Sequence, residues 1–402
     1  MLQPKLRFPE FNDEWKEYRL KDIVDRLMRK NKNNETDLPL TISSIEGLID
    51  QRTYFNKVVA SKDMSGYYLL KKGEFAYNKS YSVGYDYGSI KRLDRYEMGA
   101  LSTLYICFSL KDNEQNIRSD FLTKYFDSQK WYRHIYINCA EGARNHGLLN
   151  IPVEDFFEMK VVLPSIKEQE KICSLILKIE EKIKQQEEIV DNFEKFKTGI
   201  SLKIFNQEIR FKNSKGDNFP ECSKKQMKEI AEFRQGFQIP ASQQISNEKE
   251  GYLRYLYISD FLNDKNALYV KNCESFYHIR EKDICVANTG ATCGKAFRGK
   301  EGILSNNMFK IFFSPEINED YAWQFFNSPA YLKQLETFTN GAGQPHIGHK
   351  NMGSMSILVP SIVEQKVIAD FLFKLDQKLN AEKAILEDWK QMKKALLQQM
   401  FV

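Results

Sequence analysis

The organisation of this chain is decided by one stretch of sequence that occurs twice. It begins at Leu163 as LPSIKEQEKICSLILKIEEKI and returns 196 residues later, from Val359, as VPSIVEQKVIADFLFKLDQKL. The match continues without a gap over residues 164–205 and 360–401, and eleven of the 42 aligned positions are identical. A match of this length indicates an internal duplication, so one structural unit makes up about half of the chain.

Each copy of the repeat opens with the pattern of a helix N-terminus. A proline precedes Ser165 and Ser361, and a glutamate, Glu168 or Glu364, follows three residues later. In such a capping box the serine and glutamate side chains each bind the other residue's backbone N–H, and a proline disfavours helix before it. We therefore predict one long helix over residues 165–205.

Apolar residues recur in both copies at intervals of three and four, with multiples of seven at the gaps, as in a coiled-coil seam. The predicted seam consists of Ile172, Ile176, Ile179, Ile183, Val190 and Phe193 in the first copy and Ile368, Leu372, Leu375, Leu379, Leu386 and Trp389 in the second. Gln186 and Lys197 interrupt the first pattern, as Glu382 and Lys393 interrupt the second. Because two copies of one unit are usually related by a two-fold axis, we expect the helices to pair antiparallel. The alternative is that each helix packs only on its own lobe.

The segments that precede the two helices repeat more weakly. YFDS, from Tyr125, resembles FFNS, from Phe325, and both segments mix strand-like runs, glycine-rich turns and helical stretches. We predict an α+β fold in which two mixed α/β lobes are separated by two long antiparallel coiled-coil helices in a pseudo-two-fold repeat. The predicted boundaries are 1–164 for the first lobe, 165–205 for the first helix, 206–360 for the second lobe and 361–402 for the second helix.

The composition is that of a globular protein with a nearly balanced charge. Of the 402 residues 42% are hydrophobic, the formal net charge is +5, and none of the four segments carries more than +2. Contact with a polyanion would therefore depend on local clusters within the lobes. The sequence contains neither an apolar stretch of membrane-spanning length nor an apolar signal segment at its N-terminus, and its seven cysteines are scattered. We expect a cytoplasmic protein without a membrane partner.

Motifs of the common catalytic sites are missing from the sequence. There is no Pro-Pro pair for the loop with which adenine methyltransferases hold a base, and no G-x-G-x-x-G follows a strand-like run. GATCGK, from Gly290, has glycines one residue too close for a phosphate-binding loop. His346 and His349 lack visible further ligands for a metal. We therefore predict neither a catalytic centre, nor a metal site, nor a cofactor in this chain.

Polar clusters interleaved with aromatic residues are candidates for contact with DNA, because Asn and Arg match base edges and Lys matches phosphates. They occur in YNKSYSVGYDYGSIKR, from Tyr77, in KWYRHIY, from Lys130, and in NTGATCGKAFRGK, from Asn288. The alternative is that these are solvated, glycine-rich turns. The candidate residues are Asn78, Lys79, Tyr81, Arg92, Arg144, Asn145, His146, Asn288, Thr289, Thr292, Lys295, Arg298, Gln344, His346 and Lys350.

The order lobe, helix, lobe, helix, the repeated LPSIKEQEKI and VPSIVEQKVI and the Gly-Ala segments at Gly142 and Gly341 resemble the specificity subunits of Type I restriction-modification systems. The resemblance covers essentially the whole chain. It implies that each lobe is a target recognition domain that reads one half of a bipartite double-stranded DNA target. It also implies that the helices set the spacing and dock partner subunits, with the seam residues at that docking surface.

The resemblance implies a division of labour among subunits. Two modification subunits would bind S-adenosylmethionine and methylate adenine, and restriction subunits would hydrolyse ATP, with magnesium, and cleave DNA. The present chain would be the non-catalytic subunit. Two other hypotheses stay open on the sequence alone: a coiled-coil scaffold that binds only protein, and a single-chain DNA enzyme with a site that the motifs do not reveal.

Overall fold

The computed structural model describes residues 3–57, 59–112, 114–138, 144–145, 148–149, 151–263, 265–273, 277–339 and 345–402, with side chains omitted at 137–138, 144–145 and 148. The chain divides into two compact units. Unit 1 comprises residues 1–186 and 385–402, and unit 2 comprises residues 187–384. Each unit therefore combines one predicted lobe with a part of each long helix. No helix in these described ranges is long and apolar enough to cross a membrane.

Both lobes are built from short strands and short helices, whereas the repeated segments form two much longer helices. The strands are β1 (Lys16–Arg19), β2 (Val24–Leu27), β3 (Pro39–Ser43), β4 (Gly47–Asp50), β5 (Tyr68–Lys71), β6 (Phe75–Asn78), β7 (Ser89–Arg92), β8 (Met98–Leu101), β9 (Ile106–Leu110), β10 (Arg144–Asn145), β11 (Leu148–Leu149), β12 (Lys160–Leu163), β13 (Ser223–Gln226), β14 (Ala231–Gln235), β15 (Tyr252–Leu256), β16 (Leu268–Lys271), β17 (His278–Ile279), β18 (Ile284–Ala287), β19 (Ala296–Phe297), β20 (Gly302–Leu304), β21 (Met308–Phe313) and β22 (Ser356–Val359). The helices are α1 (Leu20–Ile23), α2 (Gln51–Phe55), α3 (Ser119–Asp127), α4 (Tyr132–Asn138), α5 (Val153–Phe157), α6 (Ile166–Phe205), α7 (Met227–Ile230), α8 (Ile258–Leu262), α9 (Glu319–Phe326), α10 (Pro329–Thr339), α11 (His349–Ser354) and α12 (Ile362–Gln399).

The two units share three sheets with the same strand order, and unit 1 has in addition the pair β10-β11. Unit 1 has two four-stranded sheets, β4-β3-β8-β5 and β2-β9-β6-β7, and the pair β1-β12; unit 2 has β16-β15-β20-β17, β14-β21-β18-β19 and the pair β13-β22. In each unit one contact of the first sheet is parallel, β3 with β8 or β15 with β20. The predicted duplicated α+β fold is confirmed by this correspondence.

The beginning of one long helix and the end of the other share a hydrophobic core in each unit. In unit 1, Ile172 of α6 is buried in the same core as Met400, which follows α12. In unit 2, Ile204 of α6 is buried with Ile368 of α12. The repeat aligns Ile172 with Ile368 and Ile204 with Met400. The helices are therefore antiparallel in each unit, as predicted, and they also pack on the lobes at their ends.

The long helices have the extent that the repeat predicts. α6 has 40 residues and α12 has 38, which at about 1.5 Å per residue is roughly 60 Å each. The twelve predicted seam residues are all buried or half-buried. Burial decreases from the lobe cores, where Ile176 and Leu372 have no exposed surface, toward Val190 and Leu386, which are half-buried.

The predicted capping box is wrong for the glutamate of each long helix, and among the described residues its serine half forms only at Ser361. Glu364 N–H donates to Ser361 Oγ at 3.3 Å, but the glutamate carboxylates do not return to the serines. Glu168 instead receives two hydrogen bonds from the Arg7 guanidinium, at 2.8 and 2.9 Å, and Glu364 receives two from Arg210, at 3.2 and 2.7 Å. Because both carboxylates are almost completely buried, a bidentate arginine satisfies them better than one backbone N–H would.

A second repeated polar contact explains the lysines that interrupt the seam. In unit 1, Lys393 Nζ lies 2.8 Å from the carboxylate of Glu180, which also pairs with Lys124 at 2.7 Å. The Glu180 carboxylate thus joins α12, α6 and α3. Burial of Glu180 opposes its charge, but the two lysines outweigh burial and hold the pKa of Glu180 below its ordinary range.

Unit 2 repeats this contact with different residues. Lys197 pairs with Asp376, and Gln324 Nε2 donates to the same carboxylate at 2.9 Å. The repeat aligns Lys197 with Lys393 and Asp376 with Glu180. These lysines are therefore ion-pair partners that connect the two helices within each unit.

Candidate nucleic-acid interface

In unit 2 the structure brings together two candidate segments that lie far apart in the sequence. Ile347 N–H donates to the carbonyl oxygen of Asn288, directly after β18, at 2.9 Å, and Gly290 N–H donates to Pro345 at 3.3 Å. Thr289 forms an isolated β-bridge with His346. Residues 288–292 and 345–350 therefore belong to one surface.

The side chains of this surface differ in exposure. Asn288 is only 9% exposed, and its Oδ1 has no hydrogen-bond partner among the described residues. Thr289 and Thr292 are half-buried, whereas His346 and Lys350 are exposed. We call these five residues, with the exposed Lys295, the unit 2 polar face. Gln344 lies outside the described residues.

The turn that presents Lys295 is fixed by its neighbours. Gly294 has a φ of +80°, and a Cβ there would lie 2.2 Å from the side chain of Leu335, so this position requires glycine. Tyr331 Oη donates to the carbonyl oxygen of Gly294 at 2.6 Å. The Lys295 ammonium lies 5.5 Å from the ring of Phe297. The turn of the unit 2 polar face that carries Lys295 is thus held in place by Leu335 and Tyr331 of α10.

The corresponding surface of unit 1 is built by the same hydrogen bond. Leu149 N–H donates to the carbonyl oxygen of Lys79, directly after β6, at 3.1 Å, as Ile347 does to Asn288. The Asn78 side chain accepts a bond from Ser80 N–H at 3.0 Å. Tyr81 is 49% exposed. We call Asn78, Lys79 and Tyr81 the unit 1 polar face.

Three further candidates of unit 1 follow Gly142. Arg144 and Asn145 form β10, which pairs antiparallel with β11, and only their backbone is described. His146 lies outside the described residues.

Two of the three candidate arginines, Arg92 and Arg298, form ion pairs within the fold. Arg92 lies 2.8 Å from Asp120 of α3 and 2.7 Å from Asp94. Burial works against the charge of Arg92, but the carboxylates outweigh it and keep its pKa above the ordinary value. Arg298 in turn lies 2.7 Å from Asp320 of α9 and 4.5 Å from the Trp323 ring.

These ion pairs are copies of one another. Arg92 lies opposite Phe75 in the β6–β7 pair, and Arg298 directly follows Phe297, which lies opposite Cys285 in the equivalent β18–β19 pair. Each arginine holds the edge of its sheet against the following helix. We therefore do not assign either arginine to DNA contact.

Sequence reasoning missed a set of exposed apolar residues on the long helices. Their exposed fractions are 49% for Leu177, 47% for Ile189 and 53% for Phe196 on α6, and 49% for Phe373, 43% for Ile385 and 47% for Met392 on α12. The repeat aligns the three residues of α6 with the three of α12, in this order. The alignment of the two copies could have predicted these residues, because their positions are apolar in both copies and lie outside the seam.

The apolar residues form one set per unit. Leu177, Ile385 and Met392 belong to unit 1, and Ile189, Phe196 and Phe373 belong to unit 2. In unit 1 Leu177 lines a cavity of about 370 Å³ together with Cys173, Glu181 and Asp120 of α3. Exposed apolar surface that extends beyond single scattered residues is typical of protein-binding sites, and these matched residues are the candidates for such a surface.

Comparison with known proteins identifies relatives of one kind. Residues 220–389 match the family model of the Type I restriction modification DNA specificity domain. The Type I restriction enzyme MjaVIII specificity subunit of Methanocaldococcus jannaschii is 30% identical over 158 residues, which are 39% of this chain and 37% of that protein. The EcoBI specificity subunit of Escherichia coli is 26% identical over 176 residues, 43% of this chain and 36% of that protein. The chain thus matches little more than a third of the length of these relatives.

Solved structures resemble the fold over the whole chain. A chain from a study of complex assembly and conformational transition of the type I R-M system has a TM-score of 0.64 at 15% identity, and 98% of each chain is covered. The Type I restriction-modification S subunit from M. genitalium has a TM-score of 0.55 at 16% identity, covering 100% of this chain and 99% of that one. At these identities the likeness concerns the fold alone.

Proposed function

We propose that this chain is the DNA-reading, non-catalytic specificity subunit of a Type I restriction-modification complex, to whose DNA specificity domain residues 220–389 are similar. The duplication carries this proposal. Two units with the same strand order each present a polar face after the equivalent strand, β6 or β18. Two equivalent readers in one chain suit a target with two halves, and the long helices set the spacing between those halves.

The chemistry of the unit 2 polar face fits the edges and backbone of duplex DNA. An amide such as that of Asn288 matches the paired donor and acceptor of adenine, and threonine hydroxyls serve either role. The ammonium groups of Lys295 and Lys350 match phosphates, which fix position without reading sequence. The unpartnered Asn288 Oδ1 is the observation that favours a ligand at this face, because a buried polar atom is normally satisfied.

The exposed apolar sets are the proposed docking sites for modification subunits, one per unit. This assignment moves the docking function away from the seam, whose residues are buried or half-buried. We expect S-adenosylmethionine to bind in those modification subunits, and ATP and magnesium in the restriction subunits.

Sequencing of methylated DNA tests the reading function. Cells with this gene and its modification partner should carry methylated adenine in one bipartite motif, and deletion of this gene alone should abolish the mark at that motif. A mark that persists without this gene would contradict the proposal. Methylation or cleavage by the purified chain alone would indicate an enzyme, and an assembled complex without sequence-specific DNA binding would indicate a protein scaffold.

Co-purification tests the docking assignment. Leu177→Asp with Met392→Asp should remove one of two modification subunits, because a charge opposes burial in an apolar contact. Adding Phe196→Asp and Phe373→Asp in unit 2 should remove the second. Lys184→Ala, at an exposed position of α6 outside the apolar sets, is the matched control and should leave the stoichiometry at two. Unchanged stoichiometry in the fourfold variant would contradict the assignment.

A further inference from the structure

Unit 1 carries a group of three cations near the start of α4, where Gln398 Nε2 donates to the carbonyl oxygen of Ser128 at 2.8 Å and Leu6 N–H donates to that of Gln399 at 2.9 Å. Lys5 and Arg133 are exposed and Lys130 is half-buried, and none of the three forms an ion pair with a described residue. Burial, together with repulsion from Lys5 and Arg133, lowers the pKa of Lys130. We call these three residues the basic face. Their mutual repulsion is unfavourable in the isolated chain, so an anion that binds there would relieve it.

The neighbouring histidine adds no charge to this face near neutral pH. Arg133 Nε donates to His134 Nε2 at 3.2 Å, which requires an unprotonated nitrogen. Burial and the nearby charges of Arg133 and Lys160 lower the pKa of His134 to about 4. Lys160 is itself paired with Glu17 at 2.8 Å. The positive charge of the basic face therefore comes from its two lysines and its arginine.

The basic face is attached to the loop that follows the unit 1 polar face. Tyr132 Oη, on α4, donates to the carbonyl oxygen of Gly88 at 2.7 Å, and Gln129 Nε2 donates to that of Gly84, also at 2.7 Å. Tyr136 is 69% exposed, with its ring 6.2 Å from that of Tyr87. An exposed tyrosine of α4 thus lies beside Tyr87, in the loop of residues 79–88.

Unit 2 shows that the fold does not require these cations. The repeat of YFDS as FFNS aligns Lys130 with Ala330 and Arg133 with Lys333. Leu6 N–H donates to the carbonyl oxygen of Gln399, and Ile209 N–H donates to that of Lys203, which the repeat aligns with Gln399. Leu6 and Ile209 are therefore equivalent. The preceding residues, Lys5 in unit 1 and Glu208 in unit 2, are then equivalent as well.

The same alignment replaces Tyr136 with Glu336. Unit 2 therefore has one cation and two carboxylates where unit 1 has three cations and a tyrosine. Since both units fold alike, the excess positive charge of unit 1 is available for a ligand.

We propose that the basic face binds the phosphate backbone of duplex DNA beside the half-site that unit 1 reads. The inference rests on the proposed function, because the basic face is joined to the loop after the unit 1 polar face. Lysine and arginine neutralise phosphates, and tyrosine hydroxyls bind phosphate or sugar oxygens without reading bases. Unit 1 accordingly contributes more than unit 2 to the salt-dependent part of binding.

The test measures binding of the full chain, alone and with its modification subunits, to labelled target and scrambled duplexes over a range of salt concentrations. Each lost phosphate contact lowers the slope of log Kobs against log salt by about 0.9. Lys130→Ala with Arg133→Ala should therefore lower the slope by about 2 and weaken binding to both duplexes by a similar factor, on the order of tenfold or more at about 0.1 M salt. Lys130→Arg with Arg133→Lys should keep the slope of the unaltered protein.

Two controls separate the possible outcomes. Lys333→Ala, at the aligned position of unit 2, should change the slope by less than the unit 1 variant. Thermal melting checks that each variant is folded; if the double alanine variant is not, Arg133→Gln alone should lower the slope by about 1. An unchanged slope in a folded variant would overturn the inference, as would loss of modification-subunit binding with an unchanged slope, which would assign the face to a protein partner.

Failure of the inference is distinguishable from failure of the proposed function. If the unaltered complex does not discriminate the target from the scrambled duplex, the proposed function fails, while the slopes on scrambled DNA still decide whether the basic face binds phosphates. If the unaltered complex discriminates and the variant keeps its slope, only the basic face is wrongly assigned.

Discussion

Units 1 and 2 share one strand order but differ in the charges placed on it. Glu180 of unit 1 is held by two lysines, whereas the aligned Asp376 of unit 2 is held by Lys197 and the amide of Gln324. The basic face of unit 1 is likewise replaced in unit 2 by a surface with two carboxylates. Features that are identical in both units therefore belong to the shared fold. Features that differ reflect either the ligand that each unit binds or a local difference in stability.

The largest expected effect concerns the shared core positions at the helix starts. Ile176 and Leu372 occupy aligned positions and have no exposed surface. Ile176→Asp and Leu372→Asp should each cost several kcal/mol, because an unpaired carboxylate is placed in an apolar core. Thermal unfolding measures the loss, with Lys182→Asp, at an exposed site of α6, as the control. A melting temperature unchanged in either variant would show that the two helix starts are not equivalent.

A smaller loss of folding stability is expected when either arginine of the Arg7–Glu168 and Arg210–Glu364 pairs is removed. Arg7→Ala and Arg210→Ala each leave a buried carboxylate, Glu168 or Glu364, without its cation, which costs about 3 kcal/mol. Chemical denaturation should show similar losses for the two variants. A loss in only one of them would contradict the view that the pairs are equivalent parts of the fold.

Base reading by unit 2 should depend on Asn288 and not on Arg298. Asn288→Ala is expected to relax discrimination at one base position by about 1–3 kcal/mol, as measured by methylation of target variants. Arg298→Ala is the matched control in the same hairpin: it should lower the melting temperature, since it breaks the pair with Asp320, without changing which base is accepted. If Arg298→Ala relaxed the base preference and Asn288→Ala left it unchanged, the assignment of base reading to Asn288 would be wrong.

The pH dependence of stability should distinguish Glu180. Because its pKa lies below the ordinary 4.5 in the folded protein, its charged form stabilises the fold above about pH 4.5, and this contribution is lost as the pH falls through the lowered pKa. Glu180→Gln should lower the melting temperature at pH 7 and make its decline between about pH 5 and pH 3 shallower. An unchanged slope of melting temperature against pH would show that the lysines do not stabilise its charge.

The smallest effect is expected when unit 1 is made to resemble unit 2. Lys124→Gln copies Gln324, which donates to Asp376, and should cost about 1 kcal/mol or less, because the remaining Lys393 still pairs with Glu180. Differential scanning calorimetry checks this value. A loss as large as that of Arg7→Ala would mean that Lys124 has a role which unit 2 does not share.

The fold was predictable from the sequence because apolar spacing and an ungapped repeat are properties of neighbouring residues. The long helices, their antiparallel sense and the two mixed lobes follow from the pattern that begins at Leu163 and Val359. The helix-entry prediction was wrong about Glu168 because its partner, Arg7, lies about 160 residues earlier, and no local pattern indicates such a contact.

The candidate interface was only partly predictable, for the same reason. The types of residue expected at a DNA surface predicted Asn288, Lys295, Arg92 and Arg298 alike, but they did not predict that the two arginines pair with Asp120 and Asp320. Residue type does not reveal whether a cation has an internal partner. That distinction requires the tertiary structure.

Exchange of one lobe tests the central claim, that each unit reads one half-site, most directly. Residues 206–356 are replaced by the matching lobe of a relative, both helices are kept, and methylated motifs are mapped in cells that carry the chimera. Because base contacts are local, we predict that the half-site read by unit 1 persists, that the other half-site changes, and that the spacer stays nearly constant. A simultaneous change of both half-sites would contradict this account, since the two lobes would then form one composite reading site.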